Sequence, residues 1–135
     1  MAARRRILIA EDEAAIRSAV AEYLQSEGFD VVEVANGVEA LEAARQTPVD
    51  LLLVDLAMPV MSGAELVQTW IGDESLCSIP VILISAAPGL TTAAREFGVR
   101  ATLAKPFDLD VLAAVVDQVL AHPEPPPDSE TVAGE

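Results

Sequence analysis

Five short apolar runs alternate with segments of helical periodicity, and this alternation constrains the fold more than any other feature of the chain. The runs are Ile7-Leu8-Ile9-Ala10, Val31-Val32-Glu33-Val34, Leu51-Leu52-Leu53-Val54, Val81-Ile82-Leu83-Ile84 and Ala101-Thr102-Leu103-Ala104. Runs this short and branched read as strands, and the wholly apolar ones as strands buried on both faces. Between them, Ala14 to Glu27 places Ile16, Val20, Tyr23 and Leu24 on one helical face and stops at Gly28. Asn36 with Glu39, and Ser62 with Glu65, form N-terminal capping patterns for two more helices. A shorter helix is expected near Thr92 to Phe97. The last runs from an Asp108 cap to about Ala121, with Leu109, Leu112, Val116 and Leu120 inward. Alternating strands and helices require right-handed crossovers, and hence a parallel sheet covered on both faces. Runs one, three and four are the most apolar and belong at the centre. Glu33 and Thr102 mark runs two and five as edges.

The expected fold is therefore α/β, a flavodoxin-like doubly wound five-stranded parallel sheet of order 2-1-3-4-5 with five helices. In such sheets ligands gather beyond the carboxyl ends of the strands, at the switch point between strands one and three. Run one ends there in Glu11-Asp12-Glu13, and run three in Asp55, followed by Leu56-Ala57-Met58-Pro59-Val60-Met61-Ser62-Gly63. Run four ends in Ser85, and run five in Lys105, the only lysine of the chain. A carboxylate at the end of a buried strand costs free energy unless a cation meets it, which makes Asp55 the candidate reactive group.

Carboxylates this close repel by about 4 kcal/mol per pair at ~4 Å and an effective dielectric near 20. A hard divalent cation relieves that repulsion, and oxygen ligands with room for water suit Mg2+. Lys105 adds a point charge, and the Ser85 hydroxyl can donate to an incoming oxygen. An aspartate nucleophile, a metal, a lysine and a hydroxyl together make a phosphoryl-transfer site.

Composition narrows the partners. At 135 residues there is room for one domain with a real core. A net charge of −14 argues against a nucleic-acid surface. The one basic cluster, Arg4-Arg5-Arg6, reads as a solvated lead-in to the first strand. No apolar stretch approaches membrane-spanning length and no signal-peptide core is present, so a cytoplasmic location is expected. Cys77 stands alone and is expected to fill a small buried apolar position beside Leu76 and Ile79. Trp70 and Phe97 read as packing residues, and His122 as a partner of a helix end. Residues 123–135 carry four prolines and four acids without apolar periodicity and are expected to be disordered, leaving residues 1–122 as the domain. Val111, Val115 and Val119 form a second stripe on the last helix, open to two readings: packing, or a partner or homodimer face.

From about Arg5 to Ala121 the chain resembles the receiver (CheY-like) domain of two-component response regulators. Four motifs carry the resemblance in order and spacing: Ala10-Glu11-Asp12-Glu13, Leu53-Val54-Asp55 through Gly63, Ile84-Ser85-Ala86, and Lys105-Pro106-Phe107. The resemblance implies that Asp55 accepts a phosphoryl group from a histidine kinase or histidine phosphotransfer protein. It also implies that Glu11, Asp12, Asp55 and the backbone carbonyl of Ala57 hold Mg2+. Ser85 would then be the hydroxyl that moves toward the phosphoryl group, Lys105 the lysine that pairs with it, and Lys105-Pro106 a cis peptide bond. The chain departs from the family at Thr102, where an aromatic that swings inward on activation is common. It departs again in the short stretch from Ser85 to Lys105, with Pro88-Gly89, where an irregular helix is expected. Ala57 and Ala87 stand where other members carry side chains that place or exclude water, which implies a long-lived phosphorylated form.

Three functions follow as expectations. The first is a phosphorylation-dependent switch signalling through a protein partner, either stand-alone or as the receiver of a longer protein, with phosphorylation-driven dimerisation left open. The second is an aspartate-nucleophile phosphatase of the haloacid dehalogenase type, which needs an acid two residues after the nucleophile and here meets Ala57. The third is a pseudo-receiver scaffold that binds partners without phosphorylation.

Overall fold

A computed structural model describes residues 4–58, 60–86 and 98–121. Five strands form one parallel sheet: β1 (Arg6–Ala10), β2 (Asp30–Val34), β3 (Leu51–Asp55), β4 (Val81–Ser85) and β5 (Ala101–Ala104). Their order is β2-β1-β3-β4-β5, the order expected from the sequence. Four helices lie among the described residues: α1 (Ala14–Ser26), α2 (Gly37–Gln46), α3 (Gly63–Ile71) and α4 (Leu109–Ala121). The helix expected near Thr92 to Phe97, the Pro88-Gly89 stretch, His122 and the 123–135 tail fall outside the described residues.

Period-two alternation in the strands sorts the core into two layers. Ile7, Ile9, Leu51, Leu53, Ile82 and Ile84 face α1 and α4, meeting Val20, Leu24, Leu112 and Val116. Leu8, Leu52, Val54 and Leu83 face α2 and α3, meeting Leu41, Leu66, Val67 and Trp70. Trp70 is fully buried and its indole N–H donates to the Ile79 carbonyl at 3.2 Å, so it is a packing residue. Both edge strands are only partly buried, in keeping with Glu33 and Thr102.

The helix ends follow their local chemistry. Gly28 adopts φ +99°, and the Phe29 N–H reaches back to the Leu24 carbonyl at 3.1 Å, closing α1. Asn36 accepts from the Glu39 N–H at 3.0 Å, and Ser62 and Glu65 form a reciprocal capping box. Glu13 holds the N-cap position of α1, yet its side chain makes no capping bond.

Cys77 corrects the sequence reading: it is exposed, with its thiol near the Glu74 carbonyl at 3.7 Å. Leu76 occupies the buried position of that turn, which points its successor outward. The valine stripe of α4 is graded, from Val111 at 46% exposed through half-buried Val115 to Val119 in the core. The arginine lead-in is partly tied down, with Arg4 and Arg6 paired to Asp30. No helix among the described residues is long and apolar enough to cross a membrane.

Candidate functional site

The parallel ladder brings the ends of β1, β3, β4 and β5 to one edge of the sheet. Asp55, the last residue of β3, is 5% exposed; Glu11, just past β1, is 3% exposed; Ser85, ending β4, is 2% exposed. These three are the buried polar or charged side chains among the described residues. Carboxylate oxygens of Glu11, Asp12 and Asp55 lie within 4.8 Å of one another, with Asp12 facing solvent.

Lys105 joins this group from the residue after β5. Its Nζ donates to Asp55 Oδ2 at 2.8 Å and lies 2.9 Å from Glu11 Oε1. Glu13 Oε1 stands farther off, at 4.0 Å. The Lys105 N–H donates to the Ser85 carbonyl at 3.0 Å, which ties the lysine to the neighbouring strand end. The Lys105-Pro106 bond is cis, as the resemblance implied. The backbone N–H of Ala57 donates to Asp55 Oδ1 at 3.2 Å, so the loop after β3 holds one carboxylate oxygen and the lysine the other.

Charge states follow from these contacts. Burial pushes the Glu11 carboxyl above the ordinary glutamate range, and the nearby Asp55 charge adds to the shift against the opposing pull of Lys105 and the Glu13 N–H. Burial alone would lower the Lys105 ammonium, but its contacts with Asp55 and Glu11 outweigh that and raise it. Two acids around one base leave a site short of positive charge.

A hard divalent cation fits that deficit. Glu11 Oε1 is buried and, among the described residues, takes no hydrogen bond; only the ion pair with Lys105 holds it. An all-oxygen set on three acids is the donor chemistry of Mg2+ rather than of a soft metal. Glu11, Asp12, Asp55 and Lys105 thus come together, Ser85 ends the adjoining strand, and Ala57 borders them. Sequence reasoning missed Arg17, whose Nη1 donates to the Glu11 carbonyl at 2.7 Å. Its signal was Glu33, an acid inside a strand that otherwise reads as apolar, and the partner of Arg17.

Comparisons with known proteins agree on one family. The sequence model of the response regulator receiver domain matches residues 7–117. Transcriptional regulatory protein PdtaR of Mycobacterium tuberculosis is 37% identical over 119 residues, covering 87% of this chain and 58% of PdtaR. The probable transcriptional regulator ycf29 of Pyropia yezoensis is 33% identical over 120 residues, covering 87% of this chain and 54% of that protein. The chain thus spans about half the length of the curated relatives it matches. Among solved structures, the chemotaxis protein CheY4 of Vibrio cholerae superposes with a TM-score of 0.81 at 28% identity, covering 87% of this chain and 99% of that one.

Proposed function

Because the chain belongs to the response regulator receiver domain family, whose members are regulatory signalling domains, we propose that it is a phosphorylation-dependent switch with Asp55 as phosphoacceptor. One observation carries the reading: a buried Asp55 held through one oxygen by the only lysine, inside a three-carboxylate cluster. The donor is a histidine kinase or histidine phosphotransfer protein. An Asp55 oxygen forms the new P–O bond as the P–N bond to the donor imidazole breaks, and the imidazole leaves with the electron pair. Lys105 neutralises negative charge beside the attacking carboxylate, and the Ser85 hydroxyl, buried at the adjoining strand end, donates to a phosphoryl oxygen. Mg2+, held by Glu11, Asp12, Asp55 and the Ala57 carbonyl, would supply further neutralisation of the phosphoryl oxygens. The switch occupies residues 1–122, acts in the cytoplasm and signals through a protein partner. Its net charge of −14 disfavours direct contact with nucleic acid. Ala57 offers a phosphatase no general acid or base.

The test is acetyl phosphate labelling followed by intact mass, on wild type and Asp55→Asn. Wild type gains one phosphoryl group only with Mg2+, and Asp55→Asn gains none. No gain in folded wild type, with acetyl phosphate or with kinases, would instead indicate a pseudo-receiver. The same mass assay gives the lifetime. Ala57 presents no polar side chain to a hydrolytic water, so the phosphorylated form should persist for minutes or longer after removal of the donor; decay within seconds would refute this.

A further inference from the structure

The peptide joining Glu11 to Asp12 determines where both acids point, and the structure fixes it from β2. The Glu11 N–H donates to the carbonyl of Val34, the last residue of β2, at 3.1 Å. The Glu11 carbonyl, which belongs to the Glu11–Asp12 peptide itself, accepts from Arg17 Nη1 at 2.7 Å. Arg17 sits in the first half of α1, and its Nε lies 3.7 Å from Glu33 Oε1, one residue before Val34. Adjacent residues of the edge strand therefore hold the Glu11 backbone on both sides, one directly and one through Arg17. A planar guanidinium serves two acceptors in fixed directions, as an ammonium does not.

We propose that Arg17, braced by Glu33, is a positioning residue that aligns Glu11 and Asp12 for a divalent cation. The inference rests on the Mg2+ site of the proposed function. Its sign separates it from simple electrostatics. Removing a cation from beside a cation site should tighten Mg2+ binding by charge alone, whereas loss of alignment should weaken it. Outer-shell partners of this kind typically change metal affinity by about 10- to 100-fold, and the half-exposed Glu33 contact places Arg17 at the lower end.

The experiment is a MgCl2 titration of the isotope-labelled chain, followed by backbone amide shifts, with thermal unfolding measured in parallel. Arg17→Ala should raise the Mg2+ Kd about tenfold, and Arg17→Lys should fall between it and wild type. A Kd for Arg17→Ala equal to or below that of wild type overturns the proposal. Should Arg17→Ala not fold, Glu33→Gln and Arg17→Lys decide: weaker binding in both supports it, and wild-type affinity in both overturns it. Wild type that binds no Mg2+ overturns the metal reading together with this inference. Wild-type binding with unchanged variants overturns the inference alone.

Discussion

Lys105→Met is expected to slow Mg2+-dependent labelling of Asp55 about 100-fold, the cost of losing one pre-placed positive donor from a charge-stabilising site. The geometry gives the reason. Lys105 Nζ touches both Asp55 and Glu11, so no other described cation is placed to replace it there. Stability should fall too. Breaking a fully buried ion pair costs about 3–5 kcal/mol; here solvated Asp12 borders the site and lets water and cations in, so about 2 kcal/mol is expected in EDTA. Added Mg2+ should return part of that loss by neutralising the same acids. The pH dependence has a definite sign. Lys105 is raised above its ordinary 10.5, so its contribution is complete below that value and disappears as pH climbs through the folded value. Wild type should therefore show an alkaline loss of stability above about pH 10.5 that Lys105→Met lacks. Urea unfolding of both proteins across that range, with and without Mg2+, checks each part. Labelling within threefold of wild type would remove Lys105 from the mechanism.

The sheet was legible because each strand is a short apolar run bounded by turn chemistry, and because polar residues in runs two and five marked the edges. Glu33 and Thr102 do lie on β2 and β5, at the two ends of the order. The site was legible for a related reason: Glu11, Asp55, Ser85 and Lys105 are polar residues at the ends of apolar runs, and parallel packing carries those ends to one edge.

What sequence did not reveal depends on the direction of side chains in turns and on contacts across helices. Cys77 follows Leu76 and stands two residues before Ile79, but only one side of the turn faces the core, and Leu76 took that place. Acids favour helix starts, yet the Glu13 carboxylate lies 4.0 Å from Lys105 and leaves the start of α1 without a side-chain cap. Arg17 belongs to none of the sequence motifs; the register of β2 against β1, with Ile9 opposite Glu33, brings its partner within reach.

Gly63→Ala should destabilise the protein by about 3 kcal/mol, although helix propensity alone would predict a gain of roughly 1 kcal/mol for this change at a helical position. The close approach decides the sign. A Cβ on Gly63 would collide with the carbonyl oxygen of Asp55 and lie 2.6 Å from the Leu56 Cα. These are backbone atoms of the strand end and cannot swing aside. The Gly63 N–H also donates to the Leu56 carbonyl at 2.8 Å, so relief of the collision would strain that bond as well. Gly37 is the milder case: its added Cβ would meet Met61 Cγ and Sδ at 2.7 Å, which can turn away, and Met61 Cβ at 2.9 Å, which needs a small shift of the loop after β3. Gly37→Ala should thus cost less than Gly63→Ala, about 1 to 2 kcal/mol. Urea unfolding followed by Trp70 fluorescence ranks the two. Because the Gly63 collision falls on the peptide of Asp55 itself, the folded fraction of Gly63→Ala should also label more slowly than wild type, while Gly37→Ala should label normally. A Gly63→Ala protein as stable as wild type would mean that α3 does not rest on Asp55, and that the Asp55 carboxylate keeps its place through Lys105 and the Ala57 N–H without that packing.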